Sequence, residues 1–387
     1  MSTQGIHLRA IADAIREKEG TIGLIPARTF ADRILALPVG IESPGVTLPA
    51  ASTQEEQLAR IAAAIRAKEG AEGPIPAGEF ADRIAALEAA ESLGIDWRET
   101  ELPSSRSWYD IAYGNGRFVV VASSAAVAAY SDDGIHWTET PLPSSLRSPC
   151  IAYGNGKFVI IAPKYQVTMV SSDGIHWENG GPLSGAAIAW TPLGFGGSNR
   201  FVAPGQIASS SGATRFPVEY SDDGGISWKS QSSREIGVWR DIVYGGDKFV
   251  MVGDSGAYAR STYGNSWTVY ALPVKSNFYG IDYGALDGEN LFVAVANNSN
   301  QIVYSATGSG WTKAELPLTN NWRSIAYGAG KFIIIAYNSD AALCGQSILE
   351  WVPVTLPSVA NWRKVIYGGG KFVVIAYNSN KAAYALA

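Results

Sequence analysis

The sequence predicts a mainly β protein, a seven-bladed β-propeller preceded by two small α-helical hairpins. Three observations carry this. The segment "IAYGNGRF" at 111–118 returns as "IAYGNGKF" at 151–158, "IVYGGDKF" at 242–249, "IAYGAGKF" at 325–332 and "VIYGGGKF" at 365–372. Between the copies lie Asp-Gly turns followed by tryptophan: "SDDGIHW" at 131–137, "SSDGIHW" at 171–177 and "SDDGGISW" at 221–228. Every tryptophan of the chain also falls on one of two fixed places in the repeating unit.

The amino-terminal part is built differently. "LRAIADAIREKEG" at 8–20 repeats as "LARIAAAIRAKEG" at 58–70, and "IPARTFADRILAL" at 25–37 as "IPAGEFADRIAAL" at 75–87. Leu8, Ile11, Ala12 and Ile15 share one helical face, as do Phe30, Ile34 and Leu37. Gly20 and Gly70 suit helix ends, and Pro26 and Pro76 suit first turns. The expected organisation is a helical hairpin at 1–40, a Pro/Gly/Ser linker at 41–56 and a second hairpin at 57–93. Helices this short need a surface for their apolar stripes, which points to docking or self-association.

The propeller is expected over 94–387. Looser copies of the motif, "LGFGGSNRF" at 193–201 and "IDYGALDGENLF" at 281–292, bring the number of units to seven. Each continues with an apolar run such as "VVVA" or "IIIA", then a short strand, then the turn. Aspartate bonds its own backbone and glycine accepts positive φ, so the chain reverses there. The tryptophan follows in a fourth strand, and four antiparallel strands make one blade. Trp97, Trp137, Trp177, Trp228, Trp267, Trp311 and Trp351 close fourth strands. Trp108, Trp190, Trp239, Trp322 and Trp362 each stand five residues before the Tyr (or Phe195) of a motif. Phe278 and Ser148 hold that place in the fifth and second units. The chain ends on "KAAYALA", a third strand with no successor, while "GIDWRETELP" at 94–103 is a fourth strand with no predecessor. Pairing the two closes the ring and removes its free edges.

Composition narrows the function. A formal net charge of −5 argues against a phosphate-binding surface and against nucleic acid. Residues 1–94 carry nine basic and thirteen acidic groups, leaving the larger part almost neutral. Two cysteines, Cys150 and Cys344, make neither a disulfide framework nor a metal site. The three histidines are scattered, no cofactor or metal is expected, and "YGNGKF" lies between strands rather than before a helix. No secretory signal opens the chain and no apolar run reaches transmembrane length, so synthesis in a cytoplasm is expected.

"SDDGGISW" resembles the Asp-box of sialidases and related propellers through Ser221, Asp223, Gly225, Ser227 and Trp228. In that family the box is a structural turn away from the active site. The hairpins resemble short repeats of tail-fibre and other structural proteins of tailed bacteriophages. Together the resemblances imply a non-enzymatic receptor-binding protein of a phage tail, located in the virion. Its residues 1–93 would attach to tail or baseplate proteins or hold a homotrimer, and its propeller would bind a host surface glycan. A sialidase-like glycoside-processing enzyme and a purely architectural virion component are the alternatives.

Candidate binding residues gather where the inner strands begin. Trp108, Trp190, Trp239, Phe278, Trp322 and Trp362 stand there beside Arg240, Arg323 and Arg363, with Asn321 and Asn361 in the repeated "NWR". Planar aromatics with amide and guanidinium donors suit a sugar ring; equally, these tryptophans could pack between blades with the arginines stacked on them. No catalytic residue is assigned. Asp110, Asp241 and Asp282 are expected to bond neighbouring blades or turns rather than to act as a glycosidase pair.

Overall fold

The computed structural model describes residues 95–386, apart from 163–164, 184–193, 197–198, 205–215 and 234–237. The hairpins and linker expected at 1–93, and Trp190, lie outside the described residues. The chain runs through β1 (Trp97–Gly114), β2 (Arg117–Ser123), β3 (Ala125–Ser131), β4 (Thr138–Leu146), β5 (Cys150–Gly154), β6 (Lys157–Ala162), β7 (Val167–Ser171) and β8 (Glu178–Asn179). Next come β9 (Gly194–Gly196), β10 (Arg200–Pro204), β11 (Phe216–Ser221), β12 (Lys229–Ser233), β13 (Trp239–Gly245), β14 (Lys248–Gly253), β15 (Ala257–Ser261) and β16 (Thr268–Ala271). The remainder is β17 (Phe278–Leu286), β18 (Glu289–Ser305), β19 (Thr312–Gly328), β20 (Lys331–Ala336), β21 (Ser339–Gly345), β22 (Trp351–Ala360), β23 (Trp362–Gly368), β24 (Lys371–Ala376) and β25 (Ser379–Leu386).

Pairing is antiparallel and mostly between sequence neighbours, in a β-propeller arrangement. Sheets of 4 strands run β5–β8, β9–β12 and β13–β16; a 6-stranded sheet runs β17–β22. A 7-stranded sheet has the order β23-β24-β25-β1-β2-β3-β4. The last two are long because β1 and β19 each pair with one neighbour in their first half and another in their second. Trp97–Glu101 of β1 pair with Lys381–Ala385, whereas Ser107–Gly114 pair with β2. The two ends of the domain are thus joined where the unmatched strands of the sequence anticipated it.

The apolar runs are buried on both faces because each sheet is covered by the next. In β2, Phe118, Val120 and Ala122 pack with Val373, Ile375 and Ala382 of β24 and β25, the other half of the same long sheet. Val119 and Val121 point the other way, against Phe158, Ile160 and Met169. A second device explains the repeated Tyr-Gly pair. The rings of Tyr153, Tyr283, Tyr327, Tyr367 and Tyr113 occupy the space a side chain would need at Gly114, Gly245, Gly284, Gly328 and Gly368. Each tyrosine therefore seats on a glycine of the preceding unit, and Tyr113 on Gly368 carries the lock across the junction of the two ends.

The Asp-Gly turns are held by their own polar side chains. Asp133 Oδ1 accepts from the backbone N–H groups of Ile135 and His136 at 2.8 Å, and Gly134 N donates to Ser131 Oγ at 2.8 Å. Burial opposes the charge of Asp133, but these bonds outweigh it and hold the carboxyl far below the usual range. Asp173 repeats the arrangement, and Asp223 does so with its carboxyl near 2.

Candidate functional site

Five inner strands carry the same irregularity. The pairing of β1, β13, β17, β19 and β23 with the next strand slips between Trp108 and Asp110, Trp239 and Asp241, Phe278 and Gly280, Trp322 and Ser324, and Trp362 and Lys364. A bulge of one residue reverses which side the preceding side chains face. Trp108, Phe278, Trp322 and Trp362 are driven fully into the core, with Trp239 at 3 % exposure. The residues displaced by the bulges, Tyr109, Arg240, Tyr279, Arg323 and Arg363, form a collar of stacked tyrosines and arginines.

Arg363 lies over the Tyr109 ring at 3.5 Å and donates from Nε to the Tyr109 carbonyl at 2.7 Å. The Tyr279 ring is shared by Arg323 at 4.5 Å and Arg240 at 4.9 Å. Arg240 is clamped by Asp254 through two bonds, Nε–Oδ1 at 2.7 Å and Nη2–Oδ2 at 2.6 Å. Arg323 has no such partner: among the described residues its guanidinium makes neither a hydrogen bond nor an ion pair. Burial, and then the Arg363 charge, lower its pKa to about 10, so its positive charge is held at a cost.

One residue further along the strands, or three in the case of Asp282, lies a tier of charges. Asp110 accepts from the N–H groups of Ile111 and Ile151 at 3.0 and 2.9 Å, Asp241 from Ile242 and Ile281 at 3.1 and 3.2 Å. Asp282 accepts from Tyr283 and Tyr327 at 2.8 and 2.7 Å. Each carboxylate ties its own strand to the neighbouring unit, as the sequence suggested. Lys364 Nζ, 3.3 Å from Asp241, reaches between strands separated by β17 and β19 on one side and by β1, β5 and β9 on the other. This ion pair therefore spans the central channel. Asp241, Asp282 and Lys364 line a pocket of about 290 Å³ with apolar walls that include Ile242, Ile281, Ile325 and Val365; none of the collar side chains lines it.

Asp282 gives a pH prediction. Desolvation raises its carboxyl to about 6 despite the two backbone donors. The folded state then keeps a proton that the unfolded chain releases near pH 4. Stability contributed by this group is complete below about pH 4 and is lost as pH rises to about 6. Unfolding free energies from urea titrations over that window are expected to fall by about 1–2 kcal/mol more in the wild type than in Asp282→Asn. Parallel slopes would mean that Asp282 does not titrate there. The variant also loses one backbone acceptor, which lowers both ends of the profile alike.

The collar retains Arg240, Arg323 and Arg363 from the residues the sequence singled out, and the aromatics leave it. Trp108, Trp239, Phe278, Trp322 and Trp362 are interior and offer no ring face to a sugar. The indoles of Trp108 and Trp362 serve the turns instead, Trp108 Nε1 donating to Ser104 O and Trp362 Nε1 to Ser358 O, at 2.9 and 3.0 Å. Asn321 bonds the Asn297 amide and accepts Tyr337 N at its carbonyl, and Asn361 accepts Tyr377 N. Asn298, Asn338 and Asn378 hold positive φ values of 51°, 55° and 54°, so the asparagine-rich loops reflect turn geometry. Tyr109, Tyr279 and Lys364 were missed. The signal for the two tyrosines was the residue after each inner-strand aromatic, "WY", "WR" or "FY", which is always Tyr or Arg in these five strands.

No family model and no curated protein matches this sequence. Among solved structures, virginiamycin B lyase from Staphylococcus aureus is similar, with a TM-score of 0.63 and 16% identity, covering 76% of this chain and 99% of the lyase. YCF48 from Cyanidioschyzon merolae gives 0.55 at 13% identity over 75% of this chain and 98% of that one. YCF48 bound to D1 peptide gives 0.58 at 15% identity, over 75% and 95%. At such identities the likeness establishes the propeller fold alone. It corrects the kinship expected from the sequence: the similar structures are a lyase and YCF48, not phage tail fibres or sialidases. The tail-adhesin function inferred from that kinship falls with it. So does the expectation of a non-enzymatic protein, since a lyase shares this architecture.

Proposed function

We propose that this chain is a seven-bladed propeller, over residues 94–387, that binds a small anionic molecule at the tyrosine–arginine collar. Seven motif copies support the blade number, as do the inner strands β1, β5, β9, β13, β17, β19 and β23, which touch in that order and return to β1. The observation that carries the function is Arg323. It is a partly buried guanidinium flanked by two others and stacked on Tyr279, with its donor edge uncommitted among the described residues. Arginine presents a planar fork of donors that matches an oxyanion, and partial exclusion of water strengthens the attraction.

Thermal unfolding of the full chain against a panel of organic anions, organic cations and neutral sugars tests this. An anion present at about a hundredfold above its Kd is expected to stabilise the protein by about 2.7 kcal/mol. Arg323→Met is expected to abolish that gain, and sugars and cations are expected to give none. A panel without any anion response would sink the reading.

A second reading is that the collar serves a reaction of the lyase type, the class to which the similar virginiamycin B lyase belongs. It is favoured by Asp282, a carboxyl near 6 in the wall of the channel pocket, within range to exchange protons at neutral pH. Turnover of a bound anion, lost in Asp282→Asn with binding retained, would select this reading over binding alone.

A further inference from the structure

The shape and charge of the collar bear on which anion it takes, if the anion-binding reading above holds. Three guanidinium groups, Arg240, Arg323 and Arg363, approach one another closely enough that Arg363 and Arg240 both disfavour the charge on Arg323. Asp254 already engages Arg240 through both oxygens, which fixes that fork and offsets much of its charge, while Arg240 and Arg323 share the Tyr279 ring. Arg363 is fixed likewise by the Tyr109 ring and carbonyl. Arg323 is thus the remaining fork, held in orientation by its ring contact, and the three guanidinium groups less the Asp254 carboxylate leave the collar a net charge of +2.

We infer that the collar is built for a doubly charged oxyanion, and that its ligand is a phosphate monoester rather than a carboxylate. A carboxylate brings one charge and pairs with one fork. A phosphate monoester brings close to two charges near neutral pH and three acceptor oxygens, so it engages Arg323 directly while relieving the repulsion from both neighbours. Beyond the collar, Asp241 and Asp282 line the channel and Lys364 spans it. Those carboxylates repel a phosphate from going deeper, so the phosphate stays at the arginines and the organic part of the ligand points outward.

Calorimetric titration of the full chain with phenyl phosphate and with benzoate compares two ligands that share a ring and differ in the anion. Phenyl phosphate is expected to bind at least about tenfold more tightly, and to weaken several-fold from about pH 7.5 to about pH 5 as its second proton returns. Benzoate is expected not to weaken over that range, because it stays ionised while Asp282 beyond the collar takes up a proton. Arg323→Met is expected to remove both interactions, and Arg323→Lys, which keeps the charge without the fork, to lose about tenfold for phosphate. Circular dichroism and melting of each variant establish that the fold is retained. Equal affinities for the two ligands, both lost in Arg323→Met, would overturn the phosphate assignment and leave the anion site standing. Binding of neither ligand, or binding unchanged in both Arg323 variants, would overturn the assignment together with the reading it rests on.

Discussion

Trp322→Ala is expected to destabilise the protein by about 3–5 kcal/mol, and by more than Trp137→Ala. Trp322 is fully buried, in one cluster with Leu316, Ile325, Phe332, Ile334 and Leu343. Truncation there removes the largest kind of side chain from a site walled by the two packed halves of the 6-stranded sheet, so a cavity remains that neighbours cannot fill. Trp137 is only partly buried, lying at the margin of its cluster with its ring 6.3 Å from Phe118. Its loss is expected to cost about 1–3 kcal/mol, the range for removing a large apolar contact beside solvent. Among the described residues neither indole nitrogen has a hydrogen-bond partner, so the difference between the two variants reports packing rather than a lost bond. Urea unfolding of both variants checks this. An equal or larger loss at Trp137 would mean that the turn tryptophans, not those of the inner strands, carry the core.

A sugar-stacking role for Trp322, one of the two readings the sequence leaves open, would give the reverse ordering, and what decides between them is five single-residue bulges. The repeat made the units, their strands and the junction of the two ends legible: Trp97 pairs with Ala385, and the unmatched strand at each end identified its partner. It also identified the tying role of Asp110, Asp241 and Asp282, which follows from acids standing in otherwise apolar inner strands. Strict alternation from Ile111 back along β1 puts Trp108 on the side of Asp110, toward the channel. The bulge between them inverts that order, burying Trp108 and turning Tyr109 toward the axis. A bulge adds no residue type that a sequence would advertise, so alternation alone puts the inner-strand aromatics one residue out of phase with the side chains the bulges displace. Arg240, Arg323 and Arg363 were recognised because "WR" repeats; Tyr109 and Tyr279, in the same place, were not.

Gly328→Ala is expected to cost about 3 kcal/mol or more, whereas Gly330→Ala, two residues away, is expected to cost about 1–2 kcal/mol. The two glycines are present for different reasons. A methyl group at Gly328 would lie 2.0 Å from Cγ of Tyr367, and at Gly330 it would meet nothing within 4 Å. The burden at Gly330 is its φ of +75°, a conformation that an L residue enters only with strain. At Gly328 the backbone is unexceptional and the obstacle is a ring that is itself held, its centroid 5.0 Å from Phe372. Tyr367 cannot move aside without opening the contact between β19 and β23, so the overlap is relieved by separating two units. Combining Gly328→Ala with Tyr367→Ala should therefore cost less than the two single losses added together, because the methyl then has room. Full additivity in that cycle, or equal losses at Gly328 and Gly330, would show that tyrosine on glycine is a neighbouring contact rather than the lock between units. The same geometry at Gly114, Gly245, Gly284 and Gly368 predicts the same pattern around the rest of the ring, including the junction of the two ends, where Tyr113 covers Gly368.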